Sequence, residues 1–195
     1  MTEASQPYRV VVGVDFDETG DVALAEAFRM AREHPNDEMH LVHSVPGTGK
    51  KHPSASDLEA LSARLDKALA SLRDRVHEVC AQEFPDEEFE QDTAFHVMPG
   101  DPVEVIHQVA VDYDADVIVV GTHGRTGVSK LIQGSVAEKL ARTARLPVMV
   151  AHRKDFKGLT RSERPDAPRP EGLDGAYQRE TLRIGRRGGH ISGLL

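Results

Sequence analysis

The chain has 195 residues, a formal net charge of −8 and one cysteine, Cys80. This length predicts one domain with an appendage, and a lone cysteine excludes an internal disulfide, which fits a reducing compartment. No apolar stretch approaches the length of a membrane span and no signal-peptide pattern opens the chain, so we expect a cytoplasmic protein without a membrane partner.

The charge is divided unevenly along the chain. Residues 152–195 hold ten Lys or Arg against six Asp or Glu, a net of +4, which leaves −12 for residues 1–151. An acidic body argues against nucleic acid as the main partner, since phosphate contacts need a basic face. The composition predicts a folded domain over residues 1–152 and a basic, Pro-, Gly- and Arg-rich, largely disordered tail over residues 153–195.

Apolar runs and helical patterns alternate along residues 1–152. The predicted strands are Arg9–Asp15, Met39–Val45, Phe89–Met98, Val117–Val120 and Leu146–Ala151. The predicted helices begin near Asp17 or Thr19, Asp57, Pro102 and Ser135. This alternation predicts an α/β fold with five mainly parallel strands in a doubly wound, Rossmann-like sheet. Ligands of such sheets lie outside the carboxyl ends of the strands, so Asp15 and Gly121 should face one crevice.

The sequence patterns of two of these elements predict where they lie relative to the sheet. Phe89–Met98 alternates between polar and apolar residues, which favours an edge strand. The helix from Asp57 has an apolar stripe at intervals of three or four residues: Leu58, Leu61, Leu65, Leu69, Leu72, Val76, Cys80 and Phe84. This stripe predicts a helix packed on the sheet through all of these positions.

A glycine-rich loop separates the fourth strand from the last helix. A strand that leads through such a loop into a helix is typical of phosphate binding in α/β folds. The P-loop pattern is absent, because no glycine is followed by Lys-Ser or Lys-Thr, and no G-x-G-x-x-G follows the first strand. The spacing that is present is Gly121-x-x-Gly124, nine residues, and then Gly134-Ser135.

This spacing resembles the nucleotide-binding signature of the universal stress protein family, G-2x-G-9x-G-[ST]. The resemblance covers roughly residues 8–152, with Asp15 after the first strand, the LVHSV run, ADVIVVGTHGRTG and GSVAEKLARTARLPVMV. It implies a fold like that of the adenine nucleotide alpha hydrolases and binding of ATP, with Mg or Mn carried by the nucleotide. It also implies a homodimer through the last strand, Pro147–Ala151, and a regulator or sensor of stress with an unidentified protein partner.

The same resemblance implies a set of nucleotide-binding residues. Asp15 would lie at the adenosine side, and Ser44 where the second strand offers its backbone to the adenine. The residues implied at the phosphates are Gly121, Gly124, Gly134 and Ser135, with Thr122 and Arg125 as further donors and Val136 following in the helix. No nucleophile paired with a base is visible, so we expect slow ATP hydrolysis at most.

Two other functions stay open at this point. The first is a haloacid-dehalogenase-type phosphatase, because Asp15-x-Asp17-x-Thr19 follows a strand, although the expected second aspartate after Gly100-Asp101 is missing. The second is a dimeric scaffold that has lost the nucleotide. The ten histidines show no metal-binding spacing and are predicted to be scattered over the surface.

Overall fold

The computed structural model describes residues 7–33, 37–86, 92–121 and 136–153, which belong to one compact unit, Met1–Lys154. The strands are β1 (Arg9–Gly13), β2 (Glu38–Val45), β3 (Asp92–Pro99), β4 (Val117–Gly121) and β5 (Val148–Ala151). The helices are α1 (Glu18–Glu33), α2 (Ala55–Glu83), α3 (Pro102–Asp112) and α4 (Val136–Thr143). None of these described helices is long and apolar enough to cross a membrane.

The five strands form one sheet in the order β3-β2-β1-β4-β5, and every neighbouring pair is parallel. The predicted α/β, Rossmann-like sheet is thus confirmed. The central strands β1 and β4 are runs of β-branched residues because helices cover both of their faces. The strand order reverses between β1 and β4, and such a switch point leaves a crevice at the carboxyl ends of the strands.

Helices on the two faces of the sheet enclose two apolar cores. Side chains of α1 and α2, including Leu24 and Leu72, fill the first core, whereas α3 and α4 fill the second with residues such as Leu140. Successive strand residues point to opposite faces, so Val11 belongs to the second core and Val12 to the first.

The long helix α2 departs from the prediction at its amino-terminal end. It begins at Ala55, where Ser54 and Asp57 form a reciprocal capping box. Its apolar stripe is buried only from Ala68 onward, and Leu58 is 51% exposed, so the expected packing through all positions is wrong for the first turns. The cause is length, because 29 residues of helix extend about 43 Å, well beyond the neighbouring eight-residue strand β3.

Strand β3 lies at the edge of the sheet, as predicted, and most of its residues are half-buried. Its described part begins at Asp92, while residues 87–91, which include the predicted start at Phe89, lie outside the described residues.

Candidate functional site

A cleft of about 220 Å³ opens at the carboxyl ends of β1, β2 and β4. Its described lining consists of Gly13, Val14, Asp15, Val42, His43, Ser44, Pro102, Ile106, Val120, Gly121 and Val136. Four of the residues implied by the family resemblance are therefore neighbours on one cleft: Asp15, Ser44, Gly121 and Val136. The other five, Thr122, Gly124, Arg125, Gly134 and Ser135, lie outside the described residues.

The turn from β1 into α1, Asp15–Gly20, forms one wall of the cleft, and we call it the acidic turn. Oδ1 of Asp17 accepts hydrogen bonds from the main-chain N–H groups of Thr19 (2.7 Å) and Gly20 (3.4 Å). Asp17 therefore caps the amino terminus of α1, where the helix leaves N–H groups without partners of its own. The Thr19 hydroxyl lies 2.9 Å from Asp15 Oδ2 and 2.6 Å from Asp17 Oδ1.

The two carboxyl groups of the acidic turn have different affinities for a proton. Desolvation of its carboxyl group, together with the nearby Asp17, raises the pKa of Asp15 to about 6. Desolvation opposes ionisation of Asp17 as well, but hydrogen bonds from Asp15, Thr19 and the helix N–H groups outweigh it and lower its pKa to about 2. As the pH falls, Asp17 therefore keeps its negative charge longer than Asp15 does.

The acidic turn packs directly beneath the end of β4. A Cβ atom placed on Gly121 would collide with the main-chain carbonyl group of Thr19. A Cβ atom on Gly20 would likewise collide with the carbonyl oxygen of Asp15. The first glycine of the predicted signature is thus required here by backbone packing, whatever it contributes to a ligand.

The wall formed by β2 contains a histidine that sequence reasoning missed. Nδ1 of His43 lies 2.8 Å from the carbonyl oxygen of Val14, so this nitrogen carries a proton and donates it. The ring stacks on Phe16 with a centroid distance of 4.1 Å and an interplanar angle of 28°. His43 thereby holds the chain on both sides of Asp15, and its only sequence signal is its place next to Ser44 at the end of an apolar strand.

Helix α3 closes the cleft from the opposite face. Asp101 caps the helix by accepting a hydrogen bond from the N–H group of Val103 at 2.9 Å, and Pro102 occupies the first helical position, as predicted. Ile106 packs so closely over Gly13 that a Cβ there would lie 2.6 Å from its Cδ1. The absence of a side chain at Gly13 lets α3 approach the floor of the cleft.

A second group of polar side chains lies away from the cleft, on β2 and β3, and we call it the histidine pair. Nδ1 of His40 lies 3.0 Å from Nε2 of His96, and Tyr113 packs on the His40 ring at a centroid distance of 4.3 Å. His40 is only 4% exposed, so the prediction of surface histidines is wrong for this residue. The diagonal register of β2 and β3 places the two rings on the same face.

Burial lowers the pKa of His40, and burial together with the neighbouring His40 lowers that of His96. Nε2 of His40 has no hydrogen-bond partner among the described residues, and Oε2 of Glu38 lies 4.0 Å away. Within the described ranges no three His, Cys, Asp or Glu side chains are grouped so as to hold a metal ion. The histidine pair therefore contributes to the packing of β2 and β3, and both of its rings favour the neutral form.

Comparison with known proteins identifies the family. The model of the universal stress protein family matches residues 8–152. A universal stress protein of Methanocaldococcus jannaschii is 27% identical over 158 residues, which cover 75% of this chain and 96% of the relative. A universal stress protein structure from Archaeoglobus fulgidus is 26% identical with a TM-score of 0.50, over 74% of this chain and 98% of that one. A universal stress protein structure in complex with cAMP is 22% identical with a TM-score of 0.53, over 76% and 98% of the two chains. The chain belongs to the universal stress protein family.

Proposed function

We propose that this universal stress protein binds ATP in the cleft between β1 and β4 and acts as a nucleotide-dependent regulator or sensor in the stress response. The observation that carries the proposal is the meeting of Asp15 and Gly121 on one cleft at the switch point of the sheet. The family resemblance implies that Asp15 lies at the adenosine side and Gly121 at the phosphates. A universal stress protein of similar fold is known in complex with cAMP, an adenine nucleotide, which supports the proposal.

The dimensions of the described cleft fit part of a nucleotide. Its volume of about 220 Å³ is below the roughly 300–1,000 Å³ of sites that enclose whole drug-sized ligands. We therefore assign the described lining to the nucleoside, with the Asp15 carboxyl group and the main chain at Ser44 as its polar contacts.

The phosphates are assigned to the signature residues that precede α4. This helix begins at Val136, directly after Gly134 and Ser135, and helix amino termini attract phosphate through their N–H groups and dipole. A divalent cation, Mg or Mn, would be brought by the phosphates themselves. Slow hydrolysis at most is proposed, because Asp15, Thr19 and Asp17 are engaged with one another in the acidic turn.

The phosphatase hypothesis gains no support from the same residues. Such an enzyme would use Asp15 as nucleophile and Asp17 as acid and base. Asp17 is instead bound to the N–H groups that open α1. Capping of a helix accounts for the motif, and the matching family is a different one.

The proposed regulator is a cytoplasmic homodimer that a further protein recognises. The position of β5 supports the dimer, because among the described strands it has no neighbour on its outer side, and Val148, Met149 and Val150 are only half-buried. Such a strand edge can pair with its own copy across a two-fold axis. Sedimentation of the full chain should give the mass of a dimer, and a monomer mass would remove this part of the proposal.

Isothermal titration of the full-length protein with ATP tests nucleotide binding. Gly124→Val and Gly134→Val should abolish binding, because a branched side chain blocks close approach of phosphate to the main chain. Gly47→Val is the matched control, since a Cβ there meets nothing within 4 Å. Absence of heat for the wild-type protein at millimolar ATP would favour the nucleotide-free scaffold. Turnover of phosphomonoesters with Mg, lost in Asp15→Asn, would instead favour the phosphatase.

A further inference from the structure

Thr19 connects the two sides of the cleft. Its side chain is 7% exposed, and its hydroxyl group contacts the Asp15 carboxyl group on the proposed nucleoside side. Its main-chain carbonyl group packs against Gly121, where the proposed phosphate side begins. One buried residue therefore contacts both Asp15 and the first glycine of the signature.

The two hydrogen bonds of the Thr19 side chain need two protons. If both carboxyl groups were ionised, only the hydroxyl proton would be present. A hydroxyl group donates a single proton, yet Oγ1 lies 2.9 Å from Asp15 Oδ2 and 2.6 Å from Asp17 Oδ1. Asp17 Oδ1 already accepts from the N–H groups of Thr19 and Gly20, which favours its ionised form. The hydroxyl cannot donate to both carboxyl groups at once, so one of them carries a proton, and the N–H groups bound to Asp17 leave Asp15 as that group. Burial and Asp17 raise the pKa of Asp15 in agreement with this assignment, against the lowering effect of the Thr19 hydroxyl.

We infer that Asp15, in contact with Thr19 and Asp17, keeps a proton in the empty cleft in weakly acidic solution, and that a bound nucleoside displaces this proton to the solvent. The inference rests on the proposed nucleotide binding. A nucleoside offers an amino group and ribose hydroxyls as donors, and a carboxyl group accepts fully from them only after it has ionised. Ligand and proton thus compete for Asp15, and affinity falls as the pH drops through about 6.

Among the described residues, few other titratable groups lie near Asp15. On the acidic turn these are Asp17 and Glu18, and Glu18 is paired with Arg153 at 3.0 Å. From β2 the cleft receives His43, which is bound to Val14. The described lining from α3, β4 and α4 is uncharged. Asp17 is accordingly the carboxylate whose removal should release Asp15.

Carbon-13 NMR titration of the aspartate carboxyl groups tests the first half of the inference without a nucleotide. The signal of Asp15, assigned by its loss in Asp15→Asn, should titrate near pH 6 in the full-length protein. In Asp17→Asn, where Asn still caps the helix, it should move toward the ordinary value of about 4. Asp101→Asn makes the same change of charge at the cap of α3 and should leave it unmoved. Titration of Asp15 near 4 in the wild-type protein would overturn the inference.

Calorimetry with ATP at several pH values tests the second half. From pH 7.5 to 5 the wild-type affinity should fall about tenfold more than that of Asp17→Asn, as a group with a pKa near 6 requires. ATP titrates in this range as well, so the difference between variants is the measure, with Asp101→Asn as the control. Equal losses in wild type and Asp17→Asn overturn the displacement of the proton. Absence of ATP binding at every pH overturns the proposed function, while the NMR titration still decides the state of Asp15.

Discussion

Desolvation acts on both the acidic turn and the histidine pair, but it shifts the pKa of the titratable groups in opposite directions. In each, two like groups lie close together: Asp15 and Asp17 are bridged by a hydroxyl group, and His40 and His96 are in direct contact. Desolvation favours the neutral form of both kinds of group, so it raises the pKa of Asp15 and lowers the pKa of both histidines. The carboxyl pair therefore keeps a proton up to about pH 6, whereas the imidazole pair takes one up only at a lower pH than free histidine does.

The two clusters differ in what can reach them. Asp15 lines the cleft, where the proposed nucleoside would compete with the proton. His40 is covered by Tyr113 and is nearly inaccessible. A perturbed pKa therefore indicates a binding group only where the structure also provides access, and His40 lacks that access.

The largest expected effect comes from the contact between the acidic turn and β4. Gly121→Ala places a methyl group against the main chain of Thr19, and overpacking of this kind costs about 1–3 kcal/mol of unfolding free energy. Displacement of Thr19 should also weaken ATP binding. Urea denaturation measures the first effect and calorimetry the second. Gly47→Ala, whose added methyl group meets nothing, is the control, and equal stability of the two variants would contradict this packing.

An intermediate effect is expected in the pH dependence of stability, where the two clusters act in opposite directions. The folded histidine pair binds fewer protons than the unfolded chain, so its stabilising contribution is present above about pH 6.5 and is lost as the pH falls. The raised pKa of Asp15 has the reverse consequence, because its contribution is complete below about pH 4 and is lost as the pH rises through about 6.

Replacement of His40 and replacement of Asp15 should therefore change the slope of the unfolding free energy against pH in opposite directions. Between pH 5 and 6.5, His40→Gln should make the slope less positive and Asp15→Asn should make it more positive. Each proton accounts for up to about 1.4 kcal/mol per pH unit. Urea unfolding over this range measures the slopes, with the exposed His77→Gln as control. Slopes that change in the same direction would refute the opposition between the clusters.

The sheet and one edge of the site were predictable because local patterns determine them. Buried parallel strands appear as β-branched runs such as Val117–Val120, and polar residues at their ends share one edge of the sheet, so Asp15 and Gly121 were expected to meet. The family signature assigned roles to these residues. The roles of Gly124, Gly134 and Ser135 stay predictions, since these residues lie outside the described part of the chain.

The remaining features depend on distances that a sequence pattern does not contain. His40 and His96 are 56 positions apart and meet only because of the register between β2 and β3. The stripe of α2 shows that one face is apolar but not how far the sheet extends beneath it, so the exposure of Leu58 was not foreseen. The protonation of Asp15 likewise could not be foreseen, because it is inferred from the two distances between the Thr19 hydroxyl and the carboxyl oxygens.

The smallest expected effect concerns the ion pair beside the histidine pair. Nε of Arg9 lies 2.7 Å from Oε2 of Glu38, and both side chains are partly exposed, so loss of the pair should change the stability of the fold only slightly. Its charges nevertheless act on His40 in opposite ways. Glu38 favours protonation of the ring and raises its pKa, while Arg9 opposes protonation and lowers it.

Replacing one partner at a time should therefore separate electrostatics from stability. Glu38→Gln should lower the pKa of His40 further, and Arg9→Gln should raise it toward the ordinary histidine value of about 6.5, although both variants lose the same ion pair. Proton NMR of the imidazole rings against pH measures both shifts. If the pKa of His40 shifts in the same direction in both variants, loss of the ion pair must act by changing the burial of the ring and not through charge. Opposite shifts would show that the buried ring responds to charge, as Asp15 does beside Asp17.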